Sequence, residues 1–249
     1  MTTTGTTNFN LQLNEIVEEA FERAGGELRT GYDLRTARRS LNLLFADWAN
    51  RGINLWTIEQ GSINLEQGVA TYALPVDTVD LLEHVIRTQA GNIATQADLT
   101  ITRISVSTYA TLPNKLQQAR PIQVWVQRNT GASYPATSPY SPGTTAPPQI
   151  TVWPVPDQGT QANPYYQFVY WRMRRIQDAG NGVNTFDIPF RFLPCLTSGL
   201  AYYIALKLPE GQARLPTLKA MYDEDWTFAA GEDREKAADR LVPRQMFIT

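Results

Sequence analysis

One histidine, His84, and one cysteine, Cys195, make up the chain's whole supply of the side chains that most often act as bases, nucleophiles or soft metal ligands. Cys195 lies in Phe192-Leu193-Pro194-Cys195-Leu196, where a small buried hydrophobe is the expected use of a free thiol. His84 alternates with apolar residues in Leu81-Leu82-Glu83-His84-Val85-Ile86 and reads as a strand residue facing solvent or taking a hydrogen bond. A lone cysteine excludes an intrachain disulfide, and with one histidine beside it a thiolate or imidazole metal cluster is excluded too. Carboxylates occur together at Asp223-Glu224-Asp225 and Glu232-Asp233, but adjacent charges on a helix point apart and usually form a solvated face rather than an acid-base pair. Gly180-Asn181-Gly182 lacks the third glycine and the lysine of a phosphate cradle and reads as a turn. Trp125, Trp153, Tyr165, Tyr166, Tyr170 and Trp171 could stack on sugars or bases, though a β core filled with large rings is the simpler use. Arg172, Arg174 and Arg175 beside them read as solvated strand-end charges, with Arg172 and Arg174 on one face. No catalytic residue, no cofactor and no metal is expected.

The elements that hold these residues follow from periodicity. Leu13, Ile16, Val17, Ala20, Phe21 and Ala24 recur at helical spacing and stop at Gly25-Gly26, where a left-handed cap belongs. Asp33 is placed to cap a second helix carrying Ala37, Leu41, Leu44, Phe45 and Trp48, and the two read as a helical hairpin. From Trp56 the period changes to two. A β-hairpin is predicted through Glu66-Gln67-Gly68, with strands following at Glu83–Thr88, Thr100–Ile104, Ile122–Gln127, Ile150–Trp153 and Gln167–Arg172. Seven of the sixteen prolines fall in Tyr134–Pro156, which reads as a projecting loop. Helical spacing returns with Phe190, Leu193, Leu196, Leu200, Tyr203, Ile204 and Leu208 on one face, and a last helix runs from about Pro216 to Ala238.

The predicted class is therefore α+β: a helical bundle formed from both chain ends, with an inserted antiparallel β-rich domain. Its parts are an N-terminal helical hairpin at 1–54, the β insertion at 55–187 with its Pro-rich loop at 134–156, C-terminal helices at 188–240, and an extended tail at 241–249.

Composition narrows the function. A net charge of −2, from 22 basic and 24 acidic residues, gives no field that would draw nucleic acid. Only 18% of the 249 residues are charged, while threonine and glutamine are abundant, and an uncharged polar surface is easier to desolvate in subunit contacts. No stretch approaches the ~18 consecutive apolar residues of a membrane span, and Met1–Thr7 has no secretory pattern, so a soluble protein without a membrane partner is expected.

Several pieces of the chain are familiar together: Ala46-Asp47-Trp48-Ala49-Asn50-Arg51-Gly52-Ile53-Asn54-Leu55-Trp56, the run Val169–Gly180, Gly199–Lys207 and Gly231-Glu232-Asp233-Arg234-Glu235. In content and order they resemble the head-to-tail adaptors of short-tailed bacteriophages, related to the tail tubular protein A class. That resemblance implies a virion protein of the tail or neck, assembled in the bacterial cytoplasm as a ring of about twelve copies under the portal. It implies that the C-terminal segment reaches into the portal, which makes Leu241, Val242, Pro243, Met246, Phe247 and Ile248 the candidate portal contacts. It also implies that the β domain holds a tail nozzle or fibre protein. If DNA passes through the ring without specific binding, its lining must not grip phosphate, and Asp223, Glu224, Asp225, Glu232 and Asp233 are the candidate lining charges. A reading from another class stays open at this point: a β-rich, tail-associated carbohydrate-binding or hydrolytic module.

Overall fold

The structure, a computed structural model, describes residues 3–6, 9, 11–29, 31–52, 55–129, 147–180 and 185–234. These fall into two compact units, one drawn from the chain up to Trp56 and from Ile176 onward, the other from Thr57–Arg175. The segment that follows Arg175 belongs with the helices, and Ile176 and Ala179 are buried in their core.

In the first unit the apolar stripe of α1 (Leu13–Ala24) is buried over its whole length. The helix ends where Gly25 takes φ 86°, and the N–H of Gly26 returns to the Phe21 carbonyl at 2.9 Å. Two further carbonyls of that last turn, Glu22 and Arg23, accept from the Arg214 guanidinium at 3.3 and 3.1 Å, so a residue far along the chain completes the cap. Helix α2 (Gly31–Asn50) begins ahead of Asp33. Asp33 therefore sits in the first turn instead of at the cap, where its carboxylate accepts the Arg29 N–H at 3.3 Å.

Phe190–Phe192 forms a 3-10 turn that leads into α4 (Leu193–Ala205). The helix α5 (Leu215–Glu232) ends at Asp233, short of the predicted Ala238. Pro194 is accommodated in the first turn of α4, where its missing N–H has no partner to lose. Helix α4 was expected to bury one face, yet Cys195, Ser198, Gly199 and Ala201 are buried along with Leu196, Leu200 and Ile204. A helix that is apolar nearly all round must be surrounded. Accordingly α1, α2 and α5 all pack on it, whereas α1 and α2 meet each other very little.

Trp48, fully buried, joins these helices. Its ring lies 5.4 Å from Trp226 and 5.6 Å from Phe192, and its Nε1 donates to the Tyr222 hydroxyl at 3.0 Å. That hydroxyl donates to Asp47 at 3.3 Å, and the Arg51 guanidinium covers the rings of Tyr222 and Trp226 at 4.9 Å each. Where α4 approaches α5, a Cβ on Gly199 would stand 2.8 Å from the Tyr222 ring and 3.1 Å from Leu44.

The second unit contains two four-stranded sheets. One has the order β1 (Ile58–Leu65), β8 (Tyr166–Arg174), β3 (Thr78–Thr88), β4 (Ala97–Thr100). The other has the order β2 (Thr71–Ala73), β7 (Gln149–Trp153), β6 (Gln123–Gln127), β5 (Thr102–Ile104). Both contribute to one core, in which Leu65, Ile86 and Phe168 from the first sheet are buried with Val124, Ile150 and Val152 from the second.

Three expectations are corrected here. The predicted hairpin through Glu66-Gln67-Gly68 does not form, because β1 pairs with β8 and β2 with β7. The turn's own backbone is satisfied elsewhere: Gln67 and Gly68 donate to Gly159 and Pro156 at 3.0 Å each. The sheets are not purely antiparallel, since β5 runs parallel to β6, with the short helix α3 (Val106–Ala110) in the crossover between them. Finally, the proline-rich segment 134–156 is not one loop. Residues 130–146 lie outside the described residues, but Gln149–Trp153 is β7, paired on both sides and largely buried.

Because the two units have separate cores, damage to one should leave the other folded. Gly199→Ala, which forces a methyl group against Tyr222, is expected to destabilise the helical unit by ~1–3 kcal/mol, and Trp48→Phe, which leaves the Tyr222 hydroxyl without its donor, by a similar amount. Denaturant unfolding followed by helical circular dichroism checks this. The near-ultraviolet transition of the β unit should not move.

Candidate interaction surfaces

Cys195, His84 and several of the candidate aromatic residues are committed to the fold. Cys195 is buried, and burial pushes its thiol up to about 12, which makes it an inert core residue as expected. His84 does not face solvent: its ring stacks on Phe168 with 5.8 Å between centroids, and burial holds its pKa below the usual imidazole range. Among the aromatic residues, Tyr166 and Tyr170 are buried, Trp125 stacks on Tyr109 at 5.1 Å, and the Trp153 Nε1 donates to the Asn114 carbonyl at 2.9 Å. Sugar-stacking platforms would need these rings free.

Arg172 also departs from expectation. It is only 8% exposed rather than a solvated strand end. Its guanidinium donates to both Asp77 oxygens, at 2.6 and 3.2 Å, to Thr78 Oγ1 at 3.0 Å and to Glu59 at 2.9 Å. Arg174 takes the other Glu59 oxygen at 2.6 Å, so the shared face predicted for the two arginines is used to grip one carboxylate. The Arg172 hydrogen bond holds the Asp77 carboxyl below the usual range, against the opposing effect of burial. Nearby, Asp80 on β3 accepts from Arg103 at 2.8 Å and Arg128 at 3.3 Å, which ties β3 to the other sheet.

The five candidate conduit carboxylates divide. Asp223, Glu224 and Glu232 are exposed and Asp225 is half-buried, with Lys219 within 3.6 Å of Asp223. Asp233 is buried, at 8% exposure. It pairs with Arg191 and accepts the Leu55 N–H at 2.9 Å, which fastens the end of α5 to the turn before α4 and to the end of the N-terminal segment. A carboxylate held in this way cannot face a channel. The candidate portal contacts Leu241, Val242, Pro243, Met246, Phe247 and Ile248 lie outside the described residues.

One surface was not foreseen. Between α1 and the start of α4 runs a groove of about 920 Å³, lined by the apolar Phe9, Leu11, Phe190, Leu193 and Pro194 together with Glu15, Glu19 and Arg23. Phe190 was expected on the buried face of the helix but is 78% exposed, and Phe9 is 75% exposed. The prolines at 189 and 194 bracket the sequence signal: Phe190 belongs to a 3-10 turn, so its direction is not set by the period of the helix that follows.

A family model for the SU10 adaptor protein matches residues 12–244, and no curated protein matches the chain. The chain belongs to the SU10 adaptor protein family, in agreement with the resemblance to phage head-to-tail adaptors.

The Arg172 cluster gives the β unit an acid-labile point. Because the folded Asp77 pKa is depressed, the stability it contributes is present above the unfolded value of ~4 and is lost as pH falls through the lower folded value. Asp77→Asn is therefore expected to be less stable than the parent at neutral pH, with the difference closing as the solution is acidified below about pH 4. Denaturant midpoints across an acid series measure it, and a difference that stays constant down to the lowest pH would count against it.

Proposed function

We propose that this SU10 adaptor, a structural component of the phage particle, assembles as a ring of about twelve copies beneath the portal and joins the capsid to the tail. In this reading the helices from both chain ends form the bundle that builds the ring and meets the portal, residues 241–249 reach into the portal, and the β-rich insertion holds the nozzle or fibre protein. Genome passes through the ring. Asp223, Glu224, Asp225 and Glu232 line that conduit as fixed negative charge, which keeps phosphate contacts from retarding DNA. The observation that carries the reading is the family match over residues 12–244, on a chain whose inserted β unit has a core of its own. Separate cores support a division of labour in which one unit assembles while the other binds.

Two outcomes are expected. Light scattering on the purified protein mixed with portal should show a ring-sized complex, and deleting residues 241–249 should leave helical circular dichroism unchanged while abolishing portal docking. Shortening the chain between 131 and 145, which spares β7, should leave the ring and portal binding intact and weaken attachment of the distal tail protein. Monomers that never bind portal would overturn the assignment.

The conduit charges have their own test. Asp223→Lys combined with Glu224→Lys should create salt-dependent affinity for duplex DNA in the assembled ring, read by filter binding across a salt series. A ring that ignores the reversal would place these side chains away from the conduit.

A further inference from the structure

The groove between α1 and α4 is mostly apolar, and it carries the exposed rings of Phe9 and Phe190. An exposed apolar floor of this kind marks an interaction site. The chain itself leads to it. Asp233, at the end of α5, is paired with Arg191, the direct neighbour of Phe190, so the polypeptide leaves its last helix beside one end of the groove. Residues 235–249 then follow, outside the described residues. Six of them, 235–240, separate Arg234 from Leu241 and can span up to about 20 Å.

What comes next fits the groove chemically. Leu241, Val242, Pro243, Met246, Phe247 and Ile248 offer apolar side chains for the floor, and Arg240 and Arg244 carry charge opposite to Glu15, whereas Glu19 is already paired with Arg23 at 2.7 Å. A segment tethered this closely reaches an effective concentration in the millimolar range, so even a weak intrinsic contact would hold it.

We infer that in the free protein the groove is the seat of this chain's own residues 241–249. The segment then shields Phe9 and Phe190 from water and is itself withdrawn from any other partner until that partner competes for it. Because the seat exists without portal, this inference goes beyond the reading above and can fail without it.

The test uses the full chain, without portal. Phe190→Cys and Phe247→Cys are introduced together with Cys195→Ala, so that no third thiol reacts in denaturant either; Phe190 is exposed, so its replacement leaves the core untouched. Mild oxidation is expected to give an intrachain disulfide, seen as a faster band on a non-reducing gel, about tenfold faster than in denaturant, where only chain diffusion brings the thiols together. Reversing the tail's own charges with Arg240→Glu and Arg244→Glu, which leaves the groove and its Glu19–Arg23 pair intact, should slow it about fivefold. As a second measurement, a polarity-sensitive dye on Phe247→Cys should report an apolar surrounding that is lost in Phe190→Asp. A link that forms between chains would assign the groove to a neighbouring copy. That result, a link no faster than in denaturant, or a dye indifferent to Phe190→Asp would each overturn the inference.

Discussion

Helix α4 has almost no face for water: ten of its thirteen residues are buried, including Ser198, Gly199 and Thr197. The organisation of the helical unit follows from that requirement. Neither α1 nor α2 can cover the other's apolar stripe alone, and both instead lie on a helix made more than a hundred residues later. The tryptophan that joins them donates to a tyrosine of α5, and Arg214 closes the end of α1. Long-range contacts of this kind add to the local caps at the two ends of α1.

The β unit solves a different problem. Its core is apolar, but the ends of its long strands carry charge, and the structure keeps those charges by pairing them: Arg172 and Arg174 with Glu59 and Asp77, Asp80 with Arg103 and Arg128, Arg87 with Asp98 at 2.8 Å. Half-exposed pairs of this sort contribute little stability each. Their value lies in fixing register, since a strand shifted by one residue would place Arg172 away from both carboxylates.

Much of this was legible in the residues. The stripes of α1 and α2 follow the helical period, and Gly25 marks the end of α1 as a left-handed cap. The strands after Pro75 follow β propensity. What failed was pairing. The sequence around Glu66-Gln67-Gly68 has every local mark of a hairpin, and nothing local reveals that β1 and β2 each find a partner some eighty or more residues away. The strand expected at Ile150–Trp153 forms as β7, and only the loop drawn over it from the surrounding prolines was wrong. Convergence is likewise invisible in one dimension: Asp77 and Glu59 meet at Arg172, and Asp233 leaves the acidic surface for Arg191, only because the fold brings them together. The groove at Phe190 was missed because a 3-10 turn interrupts the period on which the reading relied.

The division at Trp56 and Arg175 also sets an order of events during synthesis. The β unit is continuous in sequence, so it can fold as soon as Arg175 has left the ribosome. Helices α1 and α2 emerge first of all, with Trp48, Leu44 and Ile16 on display, yet their core is completed only by residues near the end of the chain. Vectorial synthesis at ~5–20 residues per second leaves that apolar face waiting for many seconds. The first part of the protein to be made is thus among the last to be finished, and a nascent chain of this design presents sticky surface while every neighbouring copy on the same message does the same.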